Sequence, residues 1–266
     1  MNVKYLFIIF TLLILTASAY SKELPDIITG KWEVKEVHIN TEASRTPLYA
    51  WNDPRLVGRI FTFESTAISN NTPENFTCSK PDVKTLITGL QNLISKSMAG
   101  YGYPAKKASA TDYSLNINLK KNFEVMRIYC DGDLWNGTLG IDGEVQGSWL
   151  FFANTTRLIL RWYDETILVL IKIQNNQLPT PSYNCLKSTT TTEHEICQSI
   201  ELSSFDRSVS QAYKLALSEY RSTGNNFNLL IRDQQAWLEE RNRCSSDMKC
   251  ITNSMRKRLD ELTKLY

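Results

Sequence analysis

The chain has 266 residues, 42% hydrophobic and 22% charged, with a formal net charge of +2. Apolar and aromatic residues run along its whole length, which excludes a disordered or collagen-like polypeptide. Charge is balanced along the chain, so nothing reads as a nucleic-acid footprint, and two histidines with six cysteines and no Cys-x-x-Cys offer no zinc or redox pattern.

The start of the chain reads as an export signal. Lys4 precedes an apolar run from Tyr5 to Thr16, and Ala17-Ser18-Ala19 supplies a small-x-small cleavage site. The run is too short to span about 30 Å of hydrocarbon comfortably. Residues 1–19 are expected to be a signal peptide cleaved after Ala19, leaving no membrane anchor and a periplasmic or secreted product. No cysteine precedes Cys78, which argues against a lipoprotein anchor.

Residues 20–173 read as an antiparallel β-barrel domain. Gly30–Val37, Arg59–Glu64, Tyr113–Leu119 and Phe123–Tyr129 alternate polar and apolar residues, the signature of half-buried strands. Further strands are expected at Trp135–Leu139, Gly147–Phe152, Arg157–Tyr163 and Thr166–Ile173. Short turns at Lys121-Asn122, Asp131-Gly132-Asp133, Asp142-Gly143 and Asp164-Glu165 point to a meander closing into a barrel or sandwich. One insertion, residues 81–98, spaces Val83, Leu86, Ile87, Leu90, Ile94 and Met98 for one helical face. It is expected to plug or cover one barrel end, or to act as a mobile lid or partner-binding loop.

Residues 174–182 hold two prolines and no apolar face, and read as a linker. Beyond them the period becomes 3.6. Thr192 and Glu195 suggest a capping box opening a short helix. A second helix carries Leu202, Phe205, Val209, Tyr213, Ala216 and Tyr220 on one face and ends at Gly224-Asn225-Asn226. A third runs from about Phe227 to Arg243 and a fourth from about Met248 to Leu265. The fold class is therefore two-domain α+β: a barrel with a helical insertion, then a small α-helical domain over residues 183–266.

In an exported chain cysteines pair by default. Cys78 and Cys130 suggest one bridge within the strands. Cys185, Cys197, Cys244 and Cys250 allow three connectivities; the local pairs are favoured, and the crossed alternative would tie the first helix to the last. Two bridges suit a helical unit with so small a core.

Catalytic chemistry finds little support. His38 and His194 stand beside no nucleophile elbow or metal-ligand pattern and read as surface residues. Asp131-Gly132-Asp133 resembles a fragment of a calcium loop, but Asp142 stands where that loop needs glutamate. The chain is read as a non-enzyme without metal or cofactor.

The helical half resembles the secreted bacterial LprI-like lysozyme-inhibitor family. The residues that carry the likeness run from Ser182-Tyr183-Asn184-Cys185 through Glu193, Glu195-Ile196-Cys197, Leu202, Phe205-Asp206-Arg207 and Ala212-Tyr213. They continue through Arg232-Asp233-Gln234-Gln235-Ala236-Trp237-Leu238, Arg241, Cys244, Cys250-Ile251, Arg258 and Leu262. Met255 and Phe205 replace a usual Tyr and Leu and keep those positions apolar. Glu195, Asp206, Tyr213, Gln234, Trp237, Arg241 and Arg258 are read as structural, with Asp206 pairing Arg241 or Arg258. Gly30-Lys31-Trp32 is similar to the Gly-x-Trp of lipocalins, which implies a lipocalin-like barrel.

The resemblance implies a protein that inhibits a peptidoglycan-cleaving enzyme, either lysozyme or a rival's wall-degrading toxin against which it is an immunity factor. Such enzymes flank the sugar bond with two carboxylates. Arg243, Ser245, Ser246 and Lys249, in and beside the Cys244–Cys250 loop, are the candidate partner-binding residues because they can donate to those carboxylates. The alternative is a carrier whose barrel holds an apolar ligand.

Overall fold

The computed structural model describes residues 22–43, 46–102, 104, 106–141 and 143–266. The expected signal peptide, and Asp142 with its expected turn, lie outside the described residues. The strands are β1 Lys22–Glu23, β2 Gly30–His38, β3 Ile60–Phe63, β4 Ala67–Asn70, β5 Cys78–Ser79, β6 Pro81–Gly89, β7 Asn122–Cys130, β8 Asp133–Leu134, β9 Trp149–Asn154, β10 Arg157–Arg161 and β11 Ile167–Lys172. The helices are α1 Leu90–Ser97, α2 Thr191–Gln198, α3 Ile200–Ser222, α4 Phe227–Asn242 and α5 Met248–Leu262.

The strands form one antiparallel sheet in the order β1-β6-β7-β9-β10-β11-β2-β3-β4-β5, with β8 on β7. Two meanders, β2–β5 and β6–β11, are joined where β11 pairs with β2. The sheet curls into a half-barrel, and the Cys78–Cys130 bridge ties β5 back to β7. Both faces of the central strands are buried. Leu158, Leu160, Leu168 and Leu170 join Trp32, Phe61, Phe63 and Trp162 on one side. Ile159, Ile167 and Val169 alternate with them and join Trp149, Phe151 and α1 on the other. Strict alternation between two cores explains why these strands read as unbroken apolar runs. Phe61 meets Trp162 edge-on at 5.0 Å, and Trp135 does so at 5.6 Å, the offset geometry that aromatic quadrupoles favour. Trp32 is fully buried and donates to Ile28 O at 2.6 Å.

The expected helix over residues 81–98 is half strand. Pro81–Gly89 pairs with β7 along its whole length, from Pro81 opposite Cys130 to Gly89 opposite Asn122. Val83, Thr85, Ile87 and Thr88 are β-branched and suit a strand. Val83 is buried while Ile87 is 78% exposed, which no common helical face allows. Only Leu90–Ser97 is helical, and α1 packs on the sheet face that carries Trp149, Phe151, Ile159 and Val169.

Two expected strands are absent. Around Tyr113 a Ser109–Asp112 capping box drives a 3-10 turn, and Ser114 at φ 46° ends it. After Asp133–Leu134 the chain turns at Asn136, φ 53°, instead of running extended to Leu139. The short polar strands β1, β4 and β5 offered too little periodicity to be read. His38 is buried, not a surface residue: Nδ1 lies 2.7 Å from Tyr113 O and Nε2 2.9 Å from Glu36. Asp164 and Glu165, at φ 55° and 58°, do turn β10 into β11, the backbone geometry a tight hairpin requires.

Residues 173–184 carry no helix or strand. The helices beyond them bury Phe205, Val209, Ala212, Ala216, Ile251, Met255, Leu259 and Leu262 in a core of their own. The capping box of α2 is Thr190 with Glu193, two residues before the expected Thr192 and Glu195. In a Thr-Thr-Thr-Glu-His-Glu run both frames satisfy the motif, and the upstream one leaves Thr192 free to turn inward.

The helical half is locked onto the sheet. Ser204 Oγ donates to Gly58 O at 2.6 Å and Ser208 Oγ to Val57 O at 2.8 Å. Arg207 pairs with the buried Glu33 at 2.8 Å. Arg256 donates to Thr72 O and Asn71 O, and Asn71 donates to Glu201. This dense polar contact makes α3 and α5 an extension of the half-barrel.

Candidate functional site: the exposed disulfide loop

All three bridges join the sequence-local partners: Cys78–Cys130, Cys185–Cys197 and Cys244–Cys250. The last closes the turn between α4 and α5. Arg243, Ser245, Ser246, Asp247, Met248 and Lys249 on this turn are exposed. Arg243 is 77% exposed, and its contact with Glu240 at 3.7 Å is a weak surface pair that a partner can displace.

The loop is exposed yet held. Thr192, fully buried on α2, aims its hydroxyl at Asn242 O (3.1 Å) and Ser245 O (3.0 Å). Asp247 caps α5 by accepting from Cys250 N at 3.0 Å. Ser245 adopts φ 54°, which turns the chain back toward Cys250. Bridge, cap and buried threonine together pre-set the loop's shape.

Behind the loop the motif residues build its support. Arg241 is 2% exposed, contacts Asp206 at 3.5 Å and donates to Asn242 Oδ1 at 2.9 Å. Burial pulls its pKa below the usual arginine value, against the opposing pull of Asp206. Asp206 also accepts from Ser182 N at 2.7 Å. Arg258 takes other partners: Gln234 at 2.9 Å, Asp233 at 2.8 Å and Glu261 at 3.3 Å. Trp237 lies between the two arginines, 5.4 and 5.8 Å from its ring, and donates to Ser254 at 3.2 Å. Tyr213 packs at the edge of the helical core, and Glu195 lies on α2 outside the cap.

A groove of about 520 Å³ runs beside the loop, lined by Trp237, Arg243, Cys244, Cys250, Asn253 and Ser254 among others. The surface therefore presents donors and positive charge on a stapled turn. Among the described residues no three His, Cys, Asp or Glu side chains gather to hold a metal ion. No helix among them is long and apolar enough to cross a membrane. The sequence pointed to the loop but not to Asp247, and it read Thr192 as a helix cap rather than as the loop's brace. A buried threonine inside a threonine run, and an aspartate three residues before Cys250, are the signals that could have found them.

Residues 185–262 match the family model of the lysozyme inhibitor LprI. No curated protein and no solved structure matches the chain. The match begins at the first cysteine of α2's bridge and ends at the last buried leucine of α5, so it spans the helical unit and its two disulfides. It leaves the half-barrel outside the LprI region.

Proposed function

We propose that the protein inhibits a lysozyme-type, peptidoglycan-cleaving enzyme outside the cytoplasm, and that the Cys244–Cys250 turn enters the enzyme's cleft. The observation that carries this reading is an exposed, disulfide-closed and internally braced turn inside the LprI-matched segment. Arg243 and Lys249 face solvent and supply cationic donors; Ser245 and Ser246 supply hydroxyls. A carboxylate pair flanking a glycosidic bond is the complement of such a surface, through charge-assisted hydrogen bonds. The protein performs no chemistry in this reading; it excludes substrate. An immunity role against a wall-degrading toxin uses the same surface.

The test is lysis of cell-wall suspensions by a chicken-type lysozyme, titrated with the full mature chain. Native protein is expected to slow lysis, and the double substitution Arg243→Glu/Lys249→Glu to abolish the effect with its melting temperature unchanged. Undiminished inhibition by that variant overturns the proposed surface. A rate untouched by native protein at micromolar concentration overturns this target.

A further inference from the structure

The stapled turn is small for a binding surface. Its exposed residues are Arg243 and Ser245 to Lys249, whereas a specific protein interface takes roughly 20–30 residues a side. The remaining contact area has to come from what lies beside the turn. On one side, the groove that holds Trp237 offers few free groups. Trp237 donates to Ser254, and Arg258 is held by Gln234, Asp233 and Glu261. Arg243 and Lys257 pair with Glu240 and Glu261.

The other side differs. A recess of about 490 Å³ opens there between the α2–α3 junction and strands β2, β3 and β4, and Met248 of the turn is part of its lining. Its floor is a row across three strands, with Lys31 opposite Thr62 and Thr62 opposite Ser69. Trp32, Phe61, Phe63 and Ile68 alternate with these residues and join the core, so the pleat turns the row away from it. Lys31 and Ser69 are exposed and Thr62 is half-buried. Among the described residues, the side chains of Lys31, Thr62, Ser69 and the wall residue Gln198 have no hydrogen-bond or ion-pair partner. The one carboxylate in the lining, Glu201, is engaged by Asn71 Nδ2 at 2.8 Å. That bond joins wall to floor, and the Arg207–Glu33 and Ser204–Gly58 contacts fix α3 to the sheet behind it. The recess is therefore preformed, carries a free cation and free donors, and is continuous with the turn.

We propose that this recess is the second half of the inhibitor surface: while the turn enters the target's cleft, an acidic loop on the rim of the same enzyme seats on the Lys31–Thr62–Ser69 row. The inference rests on the lysozyme-inhibitor reading and deepens it. Lys31 meets a rim carboxylate through a charge-assisted hydrogen bond, and Thr62, Ser69 and Gln198 donate to the loop's carbonyls. Met248, 49% exposed, fills the space between turn and recess with an adaptable apolar side chain. Carboxylates in the cleft are common to the enzyme class, whereas loops around a site vary. The half-barrel thereby selects which enzyme is inhibited.

Affinity for a chicken-type lysozyme by calorimetry, and inhibition of its wall lysis, are measured with the full mature chain. Lys31→Glu and Ser69→Trp, both at exposed strand positions, are expected to weaken affinity and inhibition at least tenfold with the melting temperature unchanged. Should Ser69→Trp lower the melting temperature, Lys31→Glu decides. Lys120→Glu, the same charge change on the exposed turn before β7, is expected to match native protein. Native-like inhibition by the recess variants, with Arg243→Glu/Lys249→Glu inactive, overturns the recess and leaves the inhibitor reading standing. Equal weakening by Lys120→Glu means unspecific charge attraction and overturns it too. Native protein that neither binds nor slows lysis overturns the inhibitor reading for this target, and the recess with it.

Discussion

Gly58 is where the two halves touch most closely, and Gly58→Ala tests how firmly they are joined. Gly58 sits at φ +81°, and a Cβ there would lie 2.4 Å from Ser204 Oγ, 3.1 Å from Ser208 Oγ and 3.3 Å from Ser204 O. The left-handed backbone costs an alanine about 1–2 kcal/mol. The clash turns Ser204 Oγ away from Gly58 O and presses Ser208 Oγ off Val57 O, and each lost hydrogen bond costs about 1 kcal/mol. The expected loss is about 3–4 kcal/mol, read by urea unfolding followed through tryptophan fluorescence. Ser204→Ala alone is expected to cost about 1 kcal/mol, one hydrogen bond. In the double variant the 2.4 Å contact is gone, so the two costs should fall short of additivity by about 1 kcal/mol. A Gly58→Ala loss below about 1 kcal/mol, or strict additivity with Ser204→Ala, refutes the reasoning, since both outcomes require that Gly58 has room to spare.

Asp206→Ala leaves Arg241 buried without its carboxylate and Ser182 N without its acceptor, so about 3 kcal/mol of stability is expected to go, measured by thermal unfolding. Replacing the pair together, Asp206→Leu with Arg241→Met, is expected to recover most of that loss, because the uncompensated charge goes with it. At alkaline pH, burial and then Glu74 raise the Tyr163 pKa to about 12, and burial with the Glu74 hydrogen bond raises that of Tyr49 further. The folded state then holds these protons above the unfolded tyrosine pKa of about 10. Stability from this source is complete below that value and is lost as pH rises through the folded pKa values. Titration followed at the phenolate absorbance should therefore show a late, cooperative phase coinciding with unfolding; full ionisation of every tyrosine near pH 10, by contrast, would contradict it.

The legible part of this fold is the local part. Helices α3, α4 and α5 were readable to within a few residues because apolar spacing at 3.6, Gly224 after α3 and Asn226 before α4 are signals contained in a few neighbouring residues. Strands β2, β7, β10 and β11 were readable for the same reason. The segment from Pro81 to Met98 was not, because its apolar spacing fits a helix and its fate was settled by nine backbone pairs with β7, some forty residues on. The stapled turn was visible as two cysteines with basic and hydroxyl residues, while its bracing by Thr192 depends on a helix about fifty residues upstream.

By itself the sequence determined the change of period from two to 3.6, the amphipathic faces of the long helices and the LprI-like cysteine and tryptophan pattern. Tertiary structure alone decided which cysteines join, which frame of the threonine run caps α2, and that α3 docks on the half-barrel through Gly58, Ser204 and Arg207. The division has a physical cause: periodicity and caps are recorded within one or two turns of chain, whereas strand partners, buried charges and the fit of a serine against a glycine carbonyl exist only once distant segments have met.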